Sequence, residues 1–218
     1  MKEKDVLFLY DEIGENQVIP AIREELAQYL AAKKQGEYTV EDYFALPDDY
    51  RVELIDGVIY DMAAPTLQHQ ILGDEIRTEI SLYIRKKKGR CIAVTSPVDV
   101  QLDKDEKTIV QPDVMIICNK DLYKNGRIYG APEFLVEVLS PSTRKKDIFL
   151  KLNKYRKAGV KEYWMVDSKN QQIIVYQFEK ENQPVIYPLE SKVPVGIFDG
   201  ECVVDFIEIM KRIIFWKE

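Results

Sequence analysis

The sequence predicts an α/β fold in which a mixed β-sheet is flanked by helices. The 218 residues are 46% apolar and 31% charged, which is typical of a chain that folds around a hydrophobic core. Segments with the period of a strand alternate with segments with the period of a helix, and this order is typical of a helix-covered mixed sheet. The length indicates one domain with an appendage rather than two full domains.

Residues 1–37 are expected to form this appendage, an N-terminal helical extension to a domain of residues 38–218. An apolar stretch at 6–10 precedes a helix that Pro20 opens and Gly36 ends. Residues 1–60 carry 6 basic and 14 acidic side chains. One hypothesis therefore gives the extension an interaction role, as a dimerisation arm or as an acidic segment that competes with phosphate for a basic helix.

The domain is expected to begin with a short helix, a hairpin and a long helix. Thr39 and Asp42 have the spacing of a capping box. The dipeptide Asp56-Gly57 favours a tight turn between two strands. Apolar residues at helical spacing indicate the long helix. These patterns predict a helix ending near residue 46, strands at 51–55 and 58–62, and a helix at 67–88.

Strands and one basic helix are expected to follow. Ser140 and its neighbours supply a stop and a cap for the basic helix, and Gly159 ends it. The aromatic residues Tyr163 and Trp164 are expected in the core. The predicted strands are 91–102, 109–118, 134–139, 162–166, 173–178 and 185–187, and the predicted helices are 144–158 and 206–216.

The composition excludes several classes of protein. No apolar run approaches the roughly 18–20 residues that span a bilayer, so no membrane partner is expected and the predicted location is cytoplasmic. Three widely spaced cysteines, Cys91, Cys118 and Cys202, are interpreted as reduced, buried thiols. A single histidine leaves hydrolytic chemistry to carboxylates, lysines and hydroxyls.

Three carboxylates lie in predicted apolar strands, where an ionised group is costly unless something compensates its charge: Glu53, Asp113 and Glu137. Mg²⁺ is the simplest compensator, because it binds through one or two carboxylates plus waters. Glu53 is alternatively a surface acid, since every second residue of a half-buried strand faces water. The flanks of Asp113 and Glu137 are near-continuously apolar, as in strands covered on both faces.

The residues around these acids resemble a known family. Pro112-Asp113, followed in the next strand by Glu137, is similar to the pattern of the PD-(D/E)XK nuclease superfamily. Five stretches in the same order resemble the Uma2 family of endonucleases and cover about residues 38–210. They are VELIDG at 52–57, QPDV at 111–114, EVLSPST at 137–143, KLNKY at 151–155 and GVKEYWMVD at 159–167. The resemblance implies a restriction-endonuclease-like fold.

The same resemblance implies metal-dependent hydrolysis of a phosphodiester. It places Mg²⁺ or Mn²⁺ on Asp113 and Glu137, with the backbone carbonyl of Val138 as a further ligand. Glu53 would complete this site or bind a second ion. A metal would activate a water and coordinate the phosphate oxygens, so that carboxylates could catalyse the reaction without histidine.

The catalytic lysine departs from the superfamily pattern. Its usual position holds Leu139, and the resemblance to Uma2 implies that Lys151, on the following helix, has taken its role. A lysine on a helix beside the strand can orient an attacking water and stabilise negative charge. The alternative for Lys151 is a solvated side chain of a basic helix.

Candidate substrate contacts are His69, Arg144, Lys145 and Lys146. His69 is either such a contact or a hydrogen-bonded structural residue in the first turn of its helix. Residues 144–157 contain seven Lys and Arg and one acid, which indicates a phosphate-facing surface or a solvated helix face. The expected partners are nucleic acid, DNA in particular, and a second copy in a homodimer. The competing hypothesis is a catalytically inactive module of the same fold that binds nucleic acid or protein.

Overall fold

The computed structural model describes residues 33–47, 50–102, 106–141, 143–180 and 183–215. They form two compact units, one of residues 33–62 with 106–109 and the other of the remaining described residues. The apolar stretch 6–10 and the helix opened by Pro20 lie outside the described residues. The boundary predicted between residues 37 and 38 stays a prediction.

The elements are numbered in chain order. The helices are α1 (Val40–Phe44), α2 (Leu67–Lys86), α3 (Leu152–Ala158) and α4 (Phe206–Phe215), with a π-helical segment at Lys146–Lys151 and 3₁₀ turns at Lys120–Leu122 and Gly196–Phe198. The strands of the first half are β1 (Val52–Ile55), β2 (Val58–Asp61), β3 (Ile92–Thr95), β4 (Val100–Gln101), β5 (Ile109–Val110), β6 (Val114–Ile117), β7 (Tyr123–Lys124) and β8 (Arg127–Tyr129). The later strands are β9 (Phe134–Val138), β10 (Glu162–Asp167), β11 (Gln172–Gln177), β12 (Val185–Pro188), β13 (Lys192–Val195) and β14 (Cys202–Asp205).

The first unit is built on the hairpin of β1 and β2. Asp56 and Gly57 form its turn with positive φ angles of 53° and 75°, as a tight two-residue turn requires. The predicted capping box is confirmed, because Thr39 and Asp42 each accept a hydrogen bond from the other's backbone N–H. Leu54 pairs with Ile109 of β5, and both are fully buried.

The second unit is organised by a six-stranded mixed sheet in the order β12-β11-β10-β9-β6-β3. β9 and β10 are parallel, and the other neighbours are antiparallel. One face packs against α2 and α4, where Trp164 and the isoleucines of α2 join a single apolar core. The opposite face carries Glu137 of β9 and Tyr163 of β10, whose ring contacts Tyr155 of α3. The fold is therefore the predicted mixed α/β sheet between helices.

Several element predictions are confirmed and two are wrong. The hairpin, the long helix, the strand around Glu137, the buried Tyr163 and Trp164, and the terminal helix are present. Residues 91–102 and 109–118 are not continuous strands, because each is broken into two short ones. Pro97 and Pro112 lie in the two gaps, and proline has no N–H to donate to a strand ladder.

The cysteine prediction is also wrong for two of the three residues. Cys91 and Cys118 form a disulfide, while Cys202 is free and buried as predicted. Ile92 of β3 pairs with Ile117 of β6, so the next residues outward, Cys91 and Cys118, face each other. The cysteines thus give no support for a reducing compartment, and the cytoplasmic location stays a prediction. Within the described ranges, no helix is both long and apolar enough to cross a membrane.

Candidate active site

Glu137 is the centre of a buried group of polar side chains. It lies near the end of β9 and is 4% exposed. Its Oε1 accepts hydrogen bonds from Lys151 Nζ at 2.9 Å and from Tyr155 Oη at 2.6 Å. Hydrogen bonds to an ionised acceptor are stronger than neutral ones, so these two donors hold the carboxylate in one orientation.

Lys151 and Tyr155 lie on one side of the helical segment that follows β9. Asp147, Lys151 and Tyr155 follow one another at intervals of four residues, and all three are buried. Lys151 Nζ also lies 3.7 Å from Asp147 Oδ1. Asp147 and Lys151 belong to the π-helical segment, a rare geometry that is frequent at functional sites.

Both ends of this helix are fixed by local signals in the sequence. Ser140 Oγ accepts a hydrogen bond from the Thr143 N–H, which caps the start as predicted. Gly159 ends it in the left-handed conformation, with φ of 93°. Tyr163 Oη donates to the backbone carbonyl of Asp147, and burial raises the pKa of Tyr163 well above its ordinary value, so Tyr163 acts as a neutral donor.

Asp113 lies beside Glu137, directly before the neighbouring strand β6. It directly precedes β6, one position beyond the pair Val114 and Val136. Its Oδ2 accepts a hydrogen bond of 2.7 Å from the N–H of Val138, the residue that follows Glu137. The same Oδ2 lies 3.2 Å from His69 Nε2. Both contacts use Oδ2, which leaves Oδ1 of this partly exposed side chain for another ligand.

His69 reaches Asp113 from the first turn of α2. Thr66 caps this helix by accepting a hydrogen bond from the His69 N–H. This cap fixes the backbone position of His69 in the first turn. Burial alone would lower the pKa of His69, but the hydrogen bond and charge of Asp113 outweigh it, and the pKa is raised. Nδ1 of His69 is buried without a hydrogen-bond partner in the described part of the chain. Its contact with a carboxylate makes His69 a support for Asp113, and direct contact with substrate stays a prediction.

The buried group contains charges of both signs. Glu137, Asp147 and Lys151 together bring two carboxylates and one ammonium into a space shielded from water. Desolvated negative charge is costly unless a proton or a cation compensates it. Asp113 adds a third carboxylate at the rim of this group.

The donor set fits a hard divalent cation. No group of three or more His, Cys, Asp and Glu side chains within the described residues is arranged as a ready metal cage. Mg²⁺ does not need one, because it is usually held by one or two carboxylates plus waters and substrate phosphates. Asp113 Oδ1 and the Glu137 carboxylate are oxygen donors of that kind.

Arg144 lies at the start of the helical segment and is paired with Asp167. Its Nη1 donates to Asp167 Oδ2, and Asn170 also donates to this carboxylate. Burial alone would raise the pKa of Asp167, but these hydrogen bonds and the charge of Arg144 lower it. The pair joins the end of β10 to the start of the helix that carries Lys151. A substrate contact by Arg144 stays a prediction.

Three further predicted site residues are Glu53, Lys145 and Lys146. Glu53 is fully buried on β1 of the first unit, and its share in the site stays a prediction. Lys145 is exposed and Lys146 is half-buried, on the turn before Asp147.

Sequence reasoning missed Tyr155, Asp147 and Asp167. A signal for the first two was present, because Asp147, Lys151 and Tyr155 share one side of a helix by their spacing of four. Asp167 gave no local signal, since its partner Arg144 is distant in sequence.

A cavity of about 290 Å³ lies elsewhere, around the first residue of β10. Its lining includes Glu133, Glu162 and Gly196 but none of the predicted site residues. Burial raises the pKa of Glu162 despite hydrogen bonds from Trp164 and Ile197. The side chains around Glu137 therefore do not line this cavity.

The described residues form an α/β protein with a mixed sheet between helices and a buried carboxylate–lysine group. The sequence model of the Uma2 family, described as "Putative restriction endonuclease", matches residues 40–197. The chain therefore belongs to the Uma2 family.

Two individual proteins are also similar to this chain. A crystal structure from Anabaena variabilis, described as "a putative nuclease belonging to DUF820", superposes with a TM-score of 0.65. The two sequences are 20% identical, and the superposition covers 79% of this chain and 97% of the Anabaena chain. This similarity shows that the two proteins share a fold. An uncharacterized protein of Synechocystis sp. is 27% identical over 125 residues, or 57% of this chain. The match spans 64% of that protein, so less than two thirds of its length is represented here.

Proposed function

We propose that the chain is a divalent-metal-dependent nuclease that hydrolyses phosphodiester bonds of DNA. The observation that carries the proposal is the buried contact of Glu137 with Lys151, beside a second carboxylate, Asp113, which directly precedes the adjacent strand β6. Membership of the Uma2 family supports the nuclease class. The metal, the DNA substrate and the roles of individual residues are the finer parts of the proposal.

Asp113 and Glu137 would hold Mg²⁺ or Mn²⁺, with the Val138 carbonyl as a further ligand. A divalent cation bound there supplies a water of lowered pKa and positive charge for the phosphate oxygens. The Val138 N–H and His69 hold Oδ2 of Asp113, which leaves Oδ1 as the oxygen that would bind the metal. The two carboxylates are thereby oriented before substrate arrives.

Lys151 and Tyr155 act through Glu137. Both donate a hydrogen bond to Oε1 and so fix the orientation of the carboxylate. In this orientation the carboxylate would bind the metal. The ammonium of Lys151 also places positive charge where negative charge develops on the phosphate. Because Lys151 is buried and already hydrogen-bonded to Glu137, this charge is in place before the reaction.

Cleavage of labelled DNA with and without Mn²⁺ tests the proposal. The variants Asp113→Asn and Glu137→Gln keep the shape of the side chains but remove a charged ligand. We expect each to lower cleavage by about a hundredfold or more, as for other groups that stabilise transition-state charge. Glu190→Gln, the same change at an exposed acid, is the matched control and should cleave normally. Full cleavage by both site variants would refute the proposal.

The second candidate is an inactive binding module of the same fold. It is favoured by Leu139, which stands where the superfamily pattern has its catalytic lysine. Calorimetric titration with Mn²⁺ separates the two candidates. Binding that disappears in Asp113→Asn supports the nuclease, whereas no binding at millimolar metal supports the module.

Two further expectations belong to the same proposal. A homodimer would let two sites cut two strands, and light scattering in solution measures its mass. A cytoplasmic location would give access to nucleic acid, and cell fractionation tests it.

A further inference from the structure

The helix that carries Lys151 has a second side with a different chemistry. Lys145, Phe149, Asn153 and Lys157 also follow one another at intervals of four, and all four are exposed. We name these four residues the outer stripe. They are offset by two positions from the buried Asp147, Lys151 and Tyr155, which places them on the opposite side of the helix.

The charge of the outer stripe is purely positive. The one acid in residues 144–157 is Asp147, which is buried on the inner side. Lys145 and Lys157 form no ion pair with the described residues. Arg156 is not part of the stripe, because its guanidinium lies over the rings of Tyr176 and Phe178. The stripe thus has one lysine at each of its two ends.

Phe149 is an exposed aromatic ring between these two lysines. Its side chain is 68% exposed, and no ring among the described residues stacks on it. Asn153 donates its amide to the backbone carbonyl of Phe149 at 2.8 Å, which ties the stripe to the helix. A phenyl ring between lysines matches the alternation of base and phosphate in an unpaired strand.

We infer that the outer stripe binds single-stranded nucleic acid, with Phe149 stacking on an unpaired base and Lys145 and Lys157 contacting phosphates. Cations that track the backbone and aromatic rings that stack on bases are the usual elements of single-strand binding. Duplex bases are already stacked on one another, so a duplex uses the lysines but not the ring. The inference rests on the proposed function and names its substrate as an unpaired strand or a frayed end.

Fluorescence anisotropy of one labelled oligodeoxynucleotide, as a single strand and as a blunt duplex, tests the inference. The titrations contain EDTA, so that cleavage does not interfere. Since stacking on one side chain has a sizeable effect per base, we expect Phe149→Ala to weaken single-strand binding about fivefold to a hundredfold. Duplex binding should change little.

Two controls separate stacking from general surface effects. Phe149→Trp should bind the single strand at least as well as the parent, because indole is a larger stacking surface. Tyr123→Ala removes an equally exposed aromatic, 65% exposed on β7, and should leave binding unchanged. Thermal melts of all variants should agree, since the Phe149 side chain is mostly in water.

Salt dependence tests the two lysines independently. Each of Lys145→Gln and Lys157→Gln should reduce the slope of log affinity against log salt by about 0.7 for a single strand. An unchanged slope in both variants would overturn their assignment to phosphates.

The outcomes keep the two proposals apart. Normal binding by Phe149→Ala, or equal losses on single strand and duplex, overturns the inference even when cleavage requires Asp113. The outer stripe would then be a candidate binding surface for a protein partner. Phe149-dependent binding without cleavage in Mn²⁺ supports the inference and overturns the nuclease proposal.

Discussion

Lys151 Nζ donates to Glu137 Oε1 across 2.9 Å, and both side chains are almost completely removed from water. Asp147 lies 3.7 Å from the same ammonium, so Lys151 is the shared cation of two buried carboxylates. A buried ion pair is weak evidence for net stability, because desolvation offsets much of the attraction. Removing one partner is nevertheless costly, since it leaves the other charge buried and uncompensated.

Lys151→Met should therefore destabilise the protein strongly. Methionine retains most of the volume but no charge, and Glu137 then loses the ammonium of Lys151. We expect the free energy of unfolding to fall by about 3–5 kcal/mol, measured by urea denaturation. Lys157→Met, the same change at an exposed position of the same helix, should cost less than about 0.5 kcal/mol. A loss of similar size in the two variants would show that the buried pair has no special role.

Much of this arrangement could be predicted from the sequence, because its signals are local. The hairpin at Asp56-Gly57, the capping box at Thr39 and the end of the basic helix at Gly159 each need only a few adjacent residues. Lys151 was reached only through the family resemblance, since one lysine in a basic helix has no distinctive local pattern.

The parts that could not be predicted depend on residues far apart in sequence. The disulfide requires the register of β3 against β6, which brings Cys91 opposite Cys118. The pairing of Arg144 with Asp167 requires the parallel alignment of β9 and β10. Periodicity indicates which residues are buried, but it does not give strand order or register.

His69→Ala should weaken metal binding. His69 Nε2 lies 3.2 Å from Asp113 Oδ2, and groups that orient a metal ligand typically contribute tenfold to a hundredfold in affinity. We expect calorimetric titration with Mn²⁺ to give a dissociation constant raised by about tenfold to a hundredfold. His69→Gln, whose amide can still donate to the carboxylate, should retain part of the affinity. Unchanged Mn²⁺ binding in His69→Ala would exclude a supporting role for this histidine.

Arg144→Met should destabilise the protein at neutral pH and have little effect in acid. The charge-assisted hydrogen bond to Asp167 is expected to contribute about 1–3 kcal/mol. Because the pKa of Asp167 is lowered in the folded protein, its contribution is present above the unfolded pKa of about 3.9. It is lost as the pH falls through the folded pKa. Urea midpoints of parent and variant should therefore differ at about pH 7, begin to approach one another below about pH 4, and agree only below the folded pKa of Asp167. A difference that persists in acid would mean that Arg144 acts through packing.

Thiol counting should distinguish the three cysteines. Burial raises the pKa of the Cys202 thiol to about 12, and thiol reagents attack the thiolate, so the folded protein should not react at about pH 8. Unfolding without a reductant should expose one thiol, that of Cys202, because Cys91 and Cys118 are bonded to each other. Unfolding with a reductant that is then removed should expose all three. The variant Cys202→Ser should give no thiol in the first unfolded sample and two in the second. Three thiols in unfolded protein that was never reduced would show that Cys91 and Cys118 are free in solution.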